Sequence, residues 1–245
     1  MQVEQIILLS VLFFIVSILY SLVGHGGGSG YIAIMGLVGI LPTVIKPTAL
    51  ILNIIVSGIA FIYFYRAKHF SWSLFWPFVV GSIPLAYIGG SIMLPYTFYH
   101  WLVGGMLLFS AIRLFMPRGQ ENQSIHRPTL PIAVLWGMGI GLLSGLIGVG
   151  GGIFLSPIML FLGWAKLKQI SAVAAAFVFV NSVSGLLGHI SSVKTVSPSI
   201  FLFGFLVFIG AFIGSRLGSS KLPDMKIKKV LAAVLFIGGL KMILA

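Results

Sequence analysis

Gly24-His25-Gly26-Gly27-Gly28 returns 124 residues later as Gly148-Val149-Gly150-Gly151-Gly152, and each copy interrupts an otherwise apolar run. A glycine weakens a helix interior by about 1 kcal/mol relative to alanine. Three in succession predict that the backbone leaves helical geometry. Backbone freed at membrane depth is tolerated only where it is buried in protein or lines a wet cavity. Two such breaks therefore point to a ligand site, although glycines that merely let helices approach closely remain the simpler account of either one alone.

The surroundings of the breaks set the class. Of 245 residues, 59% are hydrophobic and only 7% charged, a composition that no soluble surface of this length accommodates. Apolar runs recur at the length of about 20 residues that a membrane-crossing helix needs, and they lack the alternation of barrel strands. The chain reads as an all-α, polytopic protein of the cell membrane, with the lipid bilayer as its first partner. Its net charge of +12 lies between the apolar runs. It reads as topological information rather than as a nucleic-acid surface. The N-terminal run lacks the basic start and cleavage site of a signal peptide and is read as mature structure.

What is missing narrows the chemistry. Cysteine is absent, and the three acids, Glu4, Glu121 and Asp224, fall at the terminus or in polar connections. Proton pumps and cation carriers depend on acids inside the membrane. A neutral or electropositive interior suits an anion. No cofactor is expected, and no metal site either, since neither thiols nor closely spaced histidines are present.

Taken in order, residues 6–23 form a first arm. After the break, residues 30–41 make a helix of about 18 Å, too short for a hydrocarbon core of about 30 Å. Spans are expected over 48–65, 72–94 and 101–115. Beyond the polar linker 117–129 the order repeats: an arm over 130–147, the second break, a short segment over 154–163, and spans over 171–190, 199–217 and 230–244. Residues 21–35 match residues 145–159 at seven of fifteen positions, and Ser57-Gly58 reappears as Ser184-Gly185. The chain is read as two membrane repeats, 1–116 and 130–245, within one integral-membrane domain.

Charge then selects the relative orientation. If the halves are parallel, the fifteen basic residues divide eight against seven. Inverted, they divide twelve against three, with Lys46, Lys194 and Lys241 in the minority. Only inversion obeys the positive-inside rule. It follows if three spans per repeat accompany a glycine-tipped, re-entrant or discontinuous helix, a recurrent transporter plan with its site near the midplane. The length of the first arm, which is sufficient to cross, stands against a simple hairpin.

Gly145-Leu-Ile-Gly-Val-Gly-Gly-Gly-Ile-Phe-Leu-Ser-Pro-Ile-Met159, with its partner segment 22–35, resembles the sulfite exporter TauE/SafE family of membrane proteins. The resemblance extends over nearly the whole chain and implies a permease, acting as an exporter, for sulfite, organosulfonates or related small anions. His25 in place of Val149, and Ala33 in place of Pro157, depart from exact symmetry.

At the breaks, Gly26, Gly27, Gly28 and Ser29, and Gly150, Gly151 and Gly152, would offer the unpaired amides and partial positive charge of a restarting helix, a ready anion site. Asn53 and Ser57, and Asn181 and Ser184, share helix faces and could complete the shell; hydrogen bonding between helices explains them equally well. Ser156 is a weaker candidate. His25, the titratable side chain beside a break, is a candidate for proton coupling. His69, His100, His126 and His189 read as boundary residues. Trp72, Trp76, Tyr96, Trp101 and Trp164 read as interfacial anchors.

The reading is a secondary transporter of small inorganic or sulfonate anions rather than an enzyme. An anion channel is the nearest alternative, and an intramembrane serine hydrolase a more distant one. A homo-oligomer is left open.

Overall fold

The structure, a computed structural model, describes residues 3–115, 125–189 and 198–220, with 236, 239, 240, 243 and 244. The core of the expected linker and most of the last expected span lie outside the described residues, as do Glu121, Lys194, Asp224 and the lysines from 221 to 229. The described residues form nine helices: α1 Val3–Ser21, α2 Gly28–Leu37, α3 Pro42–Arg66, α4 Trp72–Ser91, α5 Tyr96–Phe115, α6 Leu130–Ile147, α7 Gly152–Phe161, α8 Leu167–Gly188 and α9 Ile200–Ser220. Six of them, α1, α3, α4, α6, α8 and α9, are long and apolar enough to cross a membrane.

Each glycine break ends one helix and starts a short one. Gly148 takes φ 92° at the end of α6, and Gly27 and Gly151 take φ 91° and 85° as the N-caps of α2 and α7. A side chain rarely tolerates that conformation. Both short helices have ten residues. Pro42, which the sequence suggests closes the preceding segment, instead opens α3, where its missing N–H has no partner to lose. α3 therefore begins six residues before the expected span and contains Lys46 and Pro47.

Close backbone approaches give the running directions. Gly137, Gly141 and Gly145 lie against the backbone of Phe78, Ser82 and Ala86 in turn, so α4 and α6 run parallel. Gly210, Gly214 and Gly218 follow Phe14, Ile18 and Leu22 in the same way, so α1 and α9 run parallel. These small residues every fourth position let helix backbones touch. Side-chain contacts extend the pattern. Gly204 meets Ile55 and Phe212 meets Tyr63, which aligns α9 with α3. Ser184 bonds Ile83 and Gly188 meets Tyr87, which aligns α8 with α4. Gly58 meets Phe179 while Leu50 meets Gly185, so α3 and α8 are antiparallel. Thus α1, α3 and α9 point one way, and α4, α6 and α8 the other.

α2 returns along α1: Phe13 packs edge-on to Tyr31 at 5.0 Å between ring centroids, and the Tyr20 and Ser29 hydroxyls lie 2.8 Å apart. The arm is longer than a half-depth hairpin requires. Gly24 packs on the backbone of Ser171 in the first turns of α8, and Gly148 packs on Lys46 in the first turns of α3. Each first arm runs nearly the full depth before the glycine turn carries the chain back to the level of Asn53.

Among the described residues, Arg66, Lys68, Arg127, Lys166, Lys168 and Arg216 gather at the ends where α3 and α9 finish and α6 and α8 begin, and Lys168 Nζ reaches Ser220 O. The opposite ends carry Lys46, which is buried. Trp72, Trp76 and Trp101 are exposed, as interfacial anchors should be, whereas Trp164 is buried against Phe78.

Because the sequence contains no cysteine, single cysteines report sidedness directly. An impermeant maleimide is expected to modify Lys68→Cys and Lys166→Cys from one face of sealed vesicles and Leu41→Cys from the other. Labelling of all three from one face would overturn the helix directions.

Candidate functional site

The two glycine turns meet at the centre. A Cβ on Gly26 would fall 2.6 Å from Asn53 Oδ1 and 2.7 Å from a Val178 methyl. One on Gly150 would fall 2.7 Å from that same methyl, 2.9 Å from Ser182 Oγ and 3.1 Å from Asn53 Nδ2. Gly28 approaches the Val149 carbonyl of the other turn, its would-be Cβ 2.8 Å away. Asn53 on α3 and Val178 on α8 thus face each other across the junction. Both turns close over them.

The backbone there is short of partners. His25 N–H donates to Tyr20 O at 2.9 Å, and the helical ladder resumes when Tyr31 N–H reaches Gly27 O. In the second turn the corresponding bonds are Gly148 N–H to Ser144 O, and Phe154 and Leu155 N–H to Gly151 O. The amides of residues 26–29 and 149–153 belong to a break and a first helical turn, which have no carbonyl one turn earlier to receive them, while that of Gly30 reaches the Tyr20 hydroxyl. Side chains add to the deficit. Asn53 Oδ1 and Ser182 Oγ are buried without a hydrogen-bond partner, and both residues are fully buried. Asn53 Nδ2 points to Gly148 O at 3.4 Å, which fixes the amide orientation, because the flipped form would face oxygen to oxygen. Buried polar groups are almost always paired, so these orphans mark the junction as a place where a guest can complete the bonding.

A second link joins the halves. His25 Nε2 lies 3.0 Å from Gly152 O and 3.0 Å from Ser156 Oγ. A carbonyl only accepts, so Nε2 carries the proton and the Ser156 hydroxyl accepts from it. The imidazole in that tautomer is no base for the serine.

Other expected residues are held by neighbours of their own. Ser57 donates to Asn53 O on its own helix at 2.5 Å. Ser29 is held by Tyr20. Gly27 packs on the Tyr31 ring, and Gly151 on Ile140 and Phe177. Asn181 Nδ2 donates to Phe177 O, and Ser184 Oγ turns to α4 and donates to Ile83 O at 2.6 Å. The α8 side chain that meets Gly26 and Gly150 opposite Asn53 is Val178. Residue type does not announce the valine; the register of Gly26 and Gly150 on the two helices brings it there. Ser182 lacks a motif, and only the fold brings it to Gly150. His189, read as interfacial, is 4% exposed.

The model of the family described as Sulfite exporter TauE/SafE matches residues 9–242. The chain belongs to that family. It is 35% identical over 239 residues to a probable membrane transporter protein, y4hK, of Sinorhizobium fredii, covering 96% of this chain and 97% of the relative. A probable membrane transporter protein of Methanocaldococcus jannaschii, MJ0441, is 28% identical over 97% of this chain and 95% of its own length. YjnA of Bacillus subtilis, also a probable membrane transporter protein, is 27% identical over 93% and 96%. No solved structure matches the chain. The TauE/SafE match and the six apolar helices make this a multi-pass membrane protein of a transporter family.

Gly150→Leu, which forces a branched side chain into positive φ and onto Val178, is expected to cut transport at least tenfold while membrane insertion persists. Uptake into reconstituted vesicles, scaled to inserted protein, tests this. Wild-type flux in that variant would remove the turn from the site.

Proposed function

We propose that this TauE/SafE protein carries small oxyanions, such as sulfite or a short organosulfonate, across the cell membrane by alternating access of two inverted halves. The observation that carries the reading is the junction itself, where the two glycine turns and the starts of α2 and α7 meet at one buried point. Glu4, at the start of α1, is the only acid among the described residues, so no described carboxylate opposes an anion there. Inversion is supported by helix direction, since α1, α3 and α4 run opposite to their counterparts α6, α8 and α9. The collected basic ends would then face the cytoplasm, with export as the direction.

Glycine amides suit the task. They replace lost water with donors, and the helix ends contribute about half a positive charge each. A partial charge binds an anion without trapping it. The second hydrogen of Asn53 Nδ2, beyond the one on Gly148 O, would be the donor to the cargo from α3, while the Val178 methyls bar water from the opposite side. His25 is the proposed proton-coupling residue, because its link to Gly152 and Ser156 spans the two halves that must move apart.

A channel would use the same amides, and counterflow separates the two. Proteoliposomes loaded in parallel with sulfite, sulfate, thiosulfate and methanesulfonate are expected to show saturable flux of one of them, accelerated by the same anion on the far side. Linear flux without acceleration would establish the channel, and hydrolysis of a peptide or ester would establish an enzyme. Asn53→Val, which removes a hydrogen bond to a charged guest worth about 1.5–3 kcal/mol, is expected to lower transport about 10- to 100-fold. Unchanged flux would exclude Asn53 from the site.

A further inference from the structure

We propose that the bonds from Lys46 to the end of α4 form a gate on the membrane face away from the basic ends, and that α4 leaves Lys46 in one piece with α6 and α8 when this face opens. The proposal rests on the carrier reading and adds to it the parts that move. These are α1, α2, α3 and α9 against α4, α6, α7 and α8, rather than one repeat against the other.

Lys46, in the first turns of α3, is 5% exposed. Its Nζ donates to Gly89 O at 3.2 Å, Gly90 O at 2.9 Å and Ile92 O at 3.2 Å. An ammonium has three hydrogens, and all are used. The carbonyls are those that a helix end leaves without amide partners, and they carry the negative end of its dipole. Each side satisfies the other. Parted in hydrocarbon, both would be stranded, so α4 leaves Lys46 only as water enters. The contact is either closed and dry or open and wet.

What travels with α4 is set by its other contacts. A Cβ on Gly137, Gly141 or Gly145 of α6 would land on the carbonyl oxygens of Phe78, Ser82 and Ala86, and one on Gly188 of α8 on that of Tyr87. Sliding α6 along α4 would drive the side chains between those glycines into the backbone, so the seam keeps its register. His189 on α8 also holds the α4 end. Its Nδ1 lies 3.2 Å from Gly90 O, and since a carbonyl only accepts, Nδ1 donates. α9 is locked to α1 in the same way as α6 to α4, by Gly210, Gly214 and Gly218.

The seam between α3 and α8 is looser. A Cβ on Gly58 would lie 3.3 Å from the Phe179 ring, and one on Gly185 3.6 Å from a Leu50 methyl. Such side-chain contacts re-form after a shift. The glycine junction lies along this seam, with Asn53 and His25 on one body and Val178, Gly150 and Ser156 on the other. Lys46 precedes Asn53 by two turns of α3, and Gly148, whose carbonyl faces Asn53 Nδ2, packs on Lys46. At the basic face the comparable tie, Lys168 Nζ to Ser220 O at the end of α9, is a single exposed bond of 3.4 Å. The Lys46 gate is the firmer of the two.

Labelling of single cysteines by an impermeant methanethiosulfonate in sealed vesicles tests this without relying on transport. The reporters are Val149→Cys, in the turn beside Lys46, and Ser82→Cys, in the seam between α4 and α6; both residues are buried. Lys46→Met keeps a stem against Gly148 and removes the three bonds. It is expected to speed labelling of Val149→Cys at least tenfold from the face bearing residue 41, with no change from the other face, and to leave Ser82→Cys unreactive. An unchanged rate at the first reporter, a rise from both faces, or labelling of the second would each overturn the proposal. If Lys46→Met does not fold, bridging decides in a chain that keeps Lys46. A short bifunctional thiosulfonate joining Leu41→Cys to Met93→Cys across the gate should cut anion exchange at least tenfold. The same reagent joining Ile88→Cys to Leu187→Cys, which line one groove between α4 and α8, should leave exchange within twofold of its starting rate. Exchange that survives the first bridge, or is lost with the second, contradicts the gate. Wild-type vesicles that exchange no anion contradict the carrier reading, whereas the labelling rates stand apart from that result.

Discussion

Everything in this fold follows from one constraint: backbone that leaves a helix inside a membrane must find partners within the protein. Two glycine turns break the ladder, and each is covered by the long helix of the opposite half, Gly148 by α3 and Gly24 by α8. The halves hold each other's defects. That accounts for the small-residue stripes between α1 and α9 and between α4 and α6, where backbone contact draws each half's outer helix across to the other's first arm. The central residues, Asn53 and Val178, sit where the four pieces close.

The two proposed repeats differ in their chemistry. Where repeat one offers an asparagine to the junction, repeat two offers valine. Where repeat one has a buried lysine against the glycine turn, repeat two has serine. His25, facing Gly152 and Ser156, takes the place of Val149. A carrier with two identical halves would present the same path to both sides. On the proposed carrier reading, these differences would give the path a polar half, an apolar half and a charged end, which is how a symmetric frame can acquire a direction.

Much of this was legible in the residues themselves. The glycine triplets, their 124-residue spacing and the Ser-Gly pairs located both breaks and the helices after them, because backbone geometry depends on local sequence. Helix ends were less legible at Pro42, where a proline can close one element or open the next. The residues that α8 brings to Gly150 were less legible for a physical reason: the register of that helix, and not residue type, puts Val178 and Ser182 there. The burial of Lys46 and His189 depends on where α4 ends in space, and nothing near them in sequence announces it. The pairing of His25 with Ser156, 131 positions apart, is likewise a product of the fold.

The most direct measurement of the central claim is a cross-link between the two glycine turns. His25→Cys combined with Ser156→Cys, in a chain with no other cysteine, replaces a 3.0 Å contact with a bond that oxidation can close and reduction can open. Rapid cross-linking that stops anion-for-anion exchange, a mode that does not draw on the proton coupling proposed for His25, with recovery on reduction, is the predicted result and would mean that the turns meet and must separate in each cycle. A pair that never cross-links, or a cross-linked protein that transports at the wild-type rate, would contradict it.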